Sequence, residues 1–365
     1  EYSKLIDDEW SKSESKEEVN FNESNELSDV FKDIDLQVYN DSNKSSNIRF
    51  VDAISQAIHL SMKEDRDLII MGQDIAEYGG VFKVTKGMSS FFGKERVRNT
   101  PLCESVILSA SMGLSILNIP SIVEMQFGDF VSSGFTAIVN LISKSYYRWG
   151  QNASIVIRMP CGGGVGAGPF HSQTNESWFT TVPGLKVVYP SFPKEAKGLL
   201  INSIKDPNPV LFFEHKKLYR TISEDVPSEP YITPFGKAIL RVEGDDMCII
   251  SYGLGIHWAL EEVKKFPQAK IAVLDINTLV PLDHDSIFDL VKKTGKVLLL
   301  QEDSRLGGFM GEIAAEISEK CFEHLDAPIF RLASLNTPIP FTDNLEEGYF
   351  PKRKLNNKIK TLLEY

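Results

Sequence analysis

Two open, mostly parallel, doubly wound α/β sheets preceded by an acidic linker are the architecture this sequence predicts. Three observations lead there. Short, fully apolar runs of strand length alternate with segments of helical period, which implies parallel βαβ units with both sheet faces covered. The alternation occurs twice, on either side of a stretch at 221–245 that is richer in Pro, Glu and Asp. With 365 residues, 42% of them hydrophobic, the chain can fill two cores.

Tyr2, Leu5, Ile6 and Trp10 stand at roughly helical spacing, as at the end of a helix. From 11 to 47 the composition turns to Ser, Glu, Asp, Asn and Lys. Residues 1–46 hold thirteen acidic residues against five lysines, so most of the net charge of −11 lies there. Such a stretch buries too little surface to offset its ordering entropy and reads as a linker or an extended wrap. A plain tether is the simpler reading; Val30, Phe31, Ile34 and Leu36 are the residues able to dock.

The first domain is placed at 48–225. Phe50, Ala53, Ile54, Ala57, Ile58 and Met62 follow the i, i+3, i+4 pattern of an amphipathic helix. Strands are expected at 68–71, 122–125, 155–158, 185–189 and 210–213. Helices are expected at 104–117, 129–148 and 193–204, the last with Pro193 in its first turn. Residues 226–245 cross to a smaller second domain at 246–365. There strands at 247–252, 271–275, 297–301 and 329–332 alternate with helices at 256–266, 285–293 and 309–322, and 352–363 forms a closing helix.

The acidic balance argues against general affinity for nucleic acid or an anionic membrane. No apolar run approaches the roughly 20 residues of a membrane span. Cys103, Cys161, Cys248 and Cys321 lie far apart with no CxxC pair and read as reduced thiols. No signal or transit peptide is visible and the first methionine is Met62. A cytoplasmic location and a start inside a longer polypeptide are therefore expected.

The run Cys161-Gly162-Gly163-Gly164-Val165-Gly166-Ala167-Gly168 invites a phosphate-binding reading, but it fits neither GxGxxG nor GxxxxGK[ST]. A flexible loop carrying the next residues into a site is the better reading. Gly253-Leu254-Gly255 lacks a third Gly and reads as a tight strand-to-helix turn. His171-Ser172-Gln173 follows the glycines at the end of a strand, where ligand sites of open α/β sheets gather. An isolated His is as readily structural as catalytic. Ser172 and Gln173 are placed to fix its tautomer, and no G-x-S-x-G elbow makes them a hydrolase triad. Metal signals are weak, with no HExxH and no EF-hand loop.

Asn99-Thr100-Pro101-Leu102-Cys103-Glu104 closes a short extended turn with a carboxylate. Val106, Ile107, Leu108, Ala110, Met112, Leu114 and Ile116 follow. Glu104 is either a helix N-terminal charge or a buried acid whose pKa desolvation raises. This segment resembles the pyrimidine-binding half of thiamine-diphosphate enzymes, specifically the beta part of 2-oxo acid dehydrogenase E1 components. The resemblance runs from about Ile48 to the C-terminus and is nearest to branched-chain E1 beta chains. It is carried by Gly72-Gln73-Asp74-Ile75-Ala76, Gly79-Gly80-Val81-Phe82, Gln126-Phe127-Gly128-Asp129-Phe130, His171-Ser172-Gln173, Pro183-Gly184-Leu185-Lys186-Val187-Val188 and Leu218-Tyr219-Arg220. In the second domain Gly307-Gly308-Phe309 and Ala327-Pro328-Ile329 also match. Residues 1–10 look like the end of an E1 alpha region, which implies a fused alpha-linker-beta polypeptide.

The resemblance implies oxidative decarboxylation of a branched-chain 2-oxo acid and transfer of the acyl group to a lipoyl arm on an E2 acyltransferase. Glu104 would share a proton with the cofactor's pyrimidine ring, its pKa pushed up by burial. His171 would pass a proton during acyl transfer. Phe130 would pack on the ring, with Leu102, Gln126 and Gln73 beside it. The family usually carries Tyr where Phe130 stands, so only ring stacking is kept there. Many relatives have Glu where Gln73 stands. The GDG motif that anchors the diphosphate through Mg²⁺ has no match: Phe127-Gly128-Asp129-Phe130 and Gly244-Asp245-Asp246 do not fit. An alpha part is therefore expected to hold the Mg²⁺ and the charged tail, in an assembly containing a second beta copy. A structural K⁺ is implied at Ala153, Ile155, Val156, Ser203, Asp206 and Asn208, although Lys205-Asp206-Pro207-Asn208-Pro209 is explained nearly as well by a turn. The rivals are a pyruvate or acetoin dehydrogenase E1 with the same machinery, and a non-catalytic scaffold docking on E2 through residues 240–365. A transketolase-like enzyme fits less well, since it needs the diphosphate half in the same chain.

Overall fold

The structure, a computed structural model, describes residues 1–18, 20–34, 39 and 44–365. Up to Pro227 the chain supplies strands β1 (Ser45–Arg49), β2 (Ile69–Gly72), β3 (Val97–Asn99), β4 (Ser121–Glu124), β5 (Ile155–Cys161), β6 (Lys186–Val188), β7 (Val210–His215) and β8 (Ser223–Pro227). The rest supplies β9 (Ile239–Val242), β10 (Met247–Ser251), β11 (Ile271–Asp275), β12 (Thr278–Val280), β13 (Val297–Ser304) and β14 (Phe330–Ser334).

The two expected doubly wound sheets are present. One has the order β12-β6-β7-β5-β4-β2-β3 and is parallel except for β12. The other has the order β14-β13-β10-β11-β9 and is parallel except for β9. A separate antiparallel ribbon, β1 with β8, joins the ends of the first unit. Helix Phe50–Glu64 packs on helix Pro193–Lys205. Phe50, Ala53, Ile54, Ala57, Ile58 and Met62 are all fully buried, as the periodicity predicts. Each large side chain of that set contributes about 1.5–3 kcal/mol of transfer free energy.

Three features depart from the sequence reading. The second sheet takes an edge strand, β9, from within the crossing segment 226–245. Strand β12, from the second half, adds to the edge of the first sheet, so the two units share a border. Both strands are too short for periodicity to reveal. The helix expected at 129–148 is instead a 3₁₀ segment Gly128–Gly134, a π turn Ala137–Ile142 and a short helix Ser145–Trp149. The segment is closely packed at Gly134, where a Cβ would come within 2.3 Å of Leu108. π turns recur at functional sites.

Part of the acidic segment is a wrap: helix Tyr2–Glu14 and the residues to 18 are exposed, while residues 30–34 dock. Asn208 Oδ1 accepts from the Lys32 N–H at 2.8 Å and Asn208 Nδ2 donates to the Lys32 carbonyl at 2.8 Å. The Phe31 ring lies 5.5 Å from the Lys186 ammonium, while Val30 and Ile34 are half-buried. Leu36 falls outside the described residues. No helix among the described residues is long and apolar enough to cross a membrane.

Candidate active site

Adjacent parallel strands β5, β4, β2 and β3 deliver the singled-out residues from their C-terminal ends, where open α/β sheets place ligands. Gln73 follows β2, the turn to Glu104 follows β3, Gln126 to Phe130 follow β4, and the glycine loop with His171 follows β5. The turn is fixed from below. Asn99 Oδ1 accepts from the Ala76 N–H at 2.8 Å, and the Thr100 N–H donates to the Gly72 carbonyl at 3.0 Å.

Glu104 opens helix Glu104–Ile116, where the free N–H groups and the helix dipole favour a carboxylate. Gln73 Nε2 donates to Glu104 Oε1 at 3.1 Å, and Gln73 is itself buried. That assigns Gln73 a task sequence left open: it orients the acid without adding a charge. The expected enclosure of Glu104 is only half present within this chain. The acid is half-buried, because its neighbours Leu102 and Val106 are 80% and 63% exposed. Leu102 therefore forms an outward-facing rim and not a covered wall.

An aromatic group forms from the segments that follow β4 and β5. The His171 ring packs edge-on against Phe127 at 4.7 Å and Phe130 at 5.5 Å between centroids. Phe127 also meets Phe130 at 5.5 Å and Phe82 at 5.6 Å, and Phe82 meets Tyr219 at 5.1 Å. Packing on these rings orients His171. Ser172 and Gln173 do not perform that task. Ser172 Oγ is buried without a protein partner, Gln173 Nε2 donates to the Pro169 carbonyl at 3.2 Å, and the Gln173 N–H donates to Asp129 Oδ1 at 3.1 Å. Gln126 is half-buried beside Phe127.

The glycine loop is not the flexible tether expected. Carboxylates of Glu302 and Glu346 hold its N–H groups at Gly163, Gly164 and Gly166. Beneath the site lies a fully buried cation. Arg158 on β5 donates from Nε and Nη2 to the two carboxylate oxygens of Glu214, both at 2.7 Å, and pairs also with Glu124 on β4. Burial opposes the Arg158 charge, but Glu214 and Glu124 more than offset it and raise its pKa. Burial also raises the Glu124 pKa, with Arg158 acting against that rise. Tyr219 donates to Glu214 at 2.7 Å, linking this network to the ring ladder through Phe82.

Buried polar atoms without a protein partner flank the same residues: Thr100 Oγ1, Asp129 Oδ2, Ser172 Oγ and Asn175 Oδ1. Each costs about 1–3 kcal/mol unless water, a ligand or a second polypeptide answers it. At the proposed potassium positions Ala153, Ile155, Val156, Ser203, Asp206 and Asn208 are all buried. Lys186 Nζ meets Asp206 Oδ2 at 2.5 Å, while Asp206 Oδ1 accepts from Asn208. With Asn208 also holding Lys32, those two side chains do not form a cation cradle. The Ser203 carbonyl has no helical donor, since Pro207 has no N–H to give it.

Phe127, Asp129, Glu302, Glu346 and the Arg158 network were not found from sequence. A signal existed for the last: Glu124, Arg158 and Glu214 are charges inside otherwise apolar parallel-strand runs, which must pair when buried.

Residues 46–221 match the family "Transketolase, pyrimidine binding domain" and residues 236–354 match "Transketolase, C-terminal domain". The class is therefore transketolase-like. A solved split-gene transketolase described as an inactive beta4 tetramer shares the fold, with a TM-score of 0.70 at 18% identity over 87% of this chain and 99% of that one. Within that class the chain belongs to the beta subunits of 2-oxo acid dehydrogenase E1 components. It is 44% identical to 2-oxoisovalerate dehydrogenase subunit beta of Bacillus subtilis (strain 168), over 84% of this chain and 94% of that protein. It is 39% identical to the mitochondrial 2-oxoisovalerate dehydrogenase subunit beta 2 of Arabidopsis thaliana, over 90% and 92%. Pyruvate dehydrogenase E1 component subunit beta of Staphylococcus aureus (strain Mu50 / ATCC 700699) is also 39% identical, over 88% and 100%.

Proposed function

We propose that this chain holds the ring end of thiamine diphosphate in an E1 component that oxidatively decarboxylates a branched-chain 2-oxo acid and acylates the lipoyl arm of an E2. The observation that carries the reading is Glu104, oriented by Gln73 at a helix N-terminus and delivered to the same sheet edge as the Phe127, Phe130 and His171 rings. A carboxylate with an amide beside it and a cluster of aromatic faces suits a flat, amino-bearing heterocycle. The orphaned polar atoms of Thr100, Asp129 and Ser172 fit a site completed by ligand and partner. Thiamine diphosphate, when bound, supplies the electron sink that makes loss of carbon dioxide feasible. Glu104 holds the proton shared with the pyrimidine edge, and Gln73 keeps its carboxyl in one orientation. Phe130 offers its face to the ring. His171 carries a proton during acyl transfer, from a position set by Phe127 and Phe130.

An alpha part supplies the grip on the diphosphate and its Mg²⁺. The exposed Leu102 and Val106 suit cover by that part or by a second beta copy. A structural potassium ion, where bound, rests on backbone carbonyls such as that of Ser203. The branched-chain substrate is supported by the higher identity to the Bacillus subtilis relative than to the pyruvate enzyme.

Reconstituted with the alpha part and E2, the protein should turn over 3-methyl-2-oxobutanoate with a kcat/KM about tenfold or more above that for pyruvate, a gap that pocket size can supply. The reverse order would assign it to the pyruvate class. Inertness on both would favour the E2-docking scaffold.

Replacing His171 by Ala is expected to slow lipoyl acylation about 10²-fold, within the range of a lost proton carrier. Decarboxylation followed by dye reduction should fall much less. Equal losses in the two assays would remove that division of labour.

A further inference from the structure

The glycine loop is folded as an anion-binding nest whose anions come from the C-terminal half of the same chain. Gly162, Gly164, Gly166 and Gly168 have φ of +83°, +76°, +66° and +72°, alternating with residues outside that region. Alternation of this kind turns successive N–H groups toward one side, a geometry that collects negative charge. The Gly163 N–H donates to Glu302 Oε1 at 2.8 Å. The Gly164 and Gly166 N–H groups donate to the two carboxylate oxygens of Glu346 at 2.8 and 3.2 Å. Glu302 lies at the end of β13 and Glu346 in helix Asp343–Tyr349, and both are almost fully buried.

The clamp is braced on its other side. His215 Nδ1 accepts from the Lys217 N–H at 3.2 Å, so its ring proton sits on Nε2 and points to Glu302 Oε2 at 2.7 Å. Lys216 Nζ donates to the Gly162 carbonyl at 2.5 Å and Lys217 Nζ to the Gly164 carbonyl at 2.8 Å. A Cβ on Gly163 would stand 2.4 Å from Ile339, and one on Gly168 would stand 2.3 Å from Phe341. The loop is thus pressed against the C-terminal half at both ends. It closes on itself through the Gly162 N–H to the Gln173 carbonyl at 3.0 Å, with His171 inside the closure.

We infer that Glu302 and Glu346 are positioning residues for His171: through the glycine nest, the C-terminal half sets where the imidazole meets Phe127 and Phe130. The inference rests on the reading of His171 as the proton carrier in acyl transfer. It gives the C-terminal half a part in the reaction beyond docking. Charge-assisted N–H···carboxylate bonds in a buried setting are strong enough to hold such a loop.

The test uses the assembly of alpha part, this chain and E2. Glu346→Ala should lower kcat for lipoyl acylation about tenfold more than it lowers dye reduction, as expected for a displacement of about an ångström at the acting group. The KM for the lipoyl domain should hold. Amide exchange across residues 162–168 should quicken. Glu346→Gln, which keeps an acceptor, should recover part of the loss, and Glu302→Gln should behave alike. Adding Glu346→Ala to His171→Ala should cost nothing further in acylation. Equal losses in both assays with additive double-mutant effects would mark Glu346 as merely structural and overturn the inference. A selective loss for His171→Ala with none for Glu346→Ala or Glu346→Gln would overturn it alone. Non-selective loss for His171→Ala by itself would overturn the role of His171 and this inference with it.

Discussion

Replacing Glu104 by Gln is expected to lower decarboxylation by the reconstituted assembly about 10²–10⁴-fold, the span of a lost general acid–base group. The substitution is nearly isosteric. Its amide oxygen still accepts from Gln73 Nε2, and the half-exposed site at a helix start asks little of the fold. What disappears is the ability to carry a proton. Stability should therefore change by no more than about 0.5 kcal/mol. Turnover against circular dichroism and thermal melting of the same preparation checks both halves. Near-normal turnover in a folded variant would remove Glu104 from the chemistry.

The largest expected effect on stability comes from Arg158→Met. It strands the carboxylates of Glu124 and Glu214 among apolar strands with no cation, and breaking a buried pair this way costs about 3–5 kcal/mol. Denaturant unfolding measures that loss. Two controls separate charge from volume. The triple replacement Arg158→Met, Glu124→Leu, Glu214→Leu should regain much of the stability, because no charge is left buried. In Arg158→Met alone, the Glu124 carboxyl, whose pKa burial already raises, loses the cation that opposes that rise. The folded state then binds more protons than the unfolded one, so stability should rise as pH falls from 7 toward 5. A flat pH profile together with a loss below 1 kcal/mol, on the order of a surface change, would contradict the buried network.

Sequence revealed the fold where apolar periodicity is long and misled where it is short. The helix carrying Phe50 to Met62 and the parallel strands of both sheets follow from pattern alone. β9 and β12 do not, since four- and three-residue edge strands carry too few side chains to set a period. The broken segment after Phe127 is not legible in a pattern that suits one continuous helix. The site divides in the same way. Glu104, Phe130 and His171 announce themselves through local motifs that end on one sheet edge. The orientation of Glu104 by Gln73 crosses 31 positions. The grip of Glu302 and Glu346 on the glycine loop crosses 139 and up to 182. The glycines fit no phosphate-binding motif, and the carboxylates that fill their nest are remote in sequence and cannot be read from the loop.

The most direct measurement is hydrogen–deuterium exchange at the thiazolium C2 position of thiamine diphosphate bound to the alpha–beta assembly, read by quenched-flow NMR. Under the proposed function, that exchange depends on Glu104 holding its proton against the pyrimidine edge and on neither substrate nor E2. The expected result is rapid exchange with the native chain and a rate about 10²–10⁴-fold lower with Glu104→Gln. Indistinguishable rates in the two, with cofactor equally bound, would contradict the assignment of the ring end to this carboxylate.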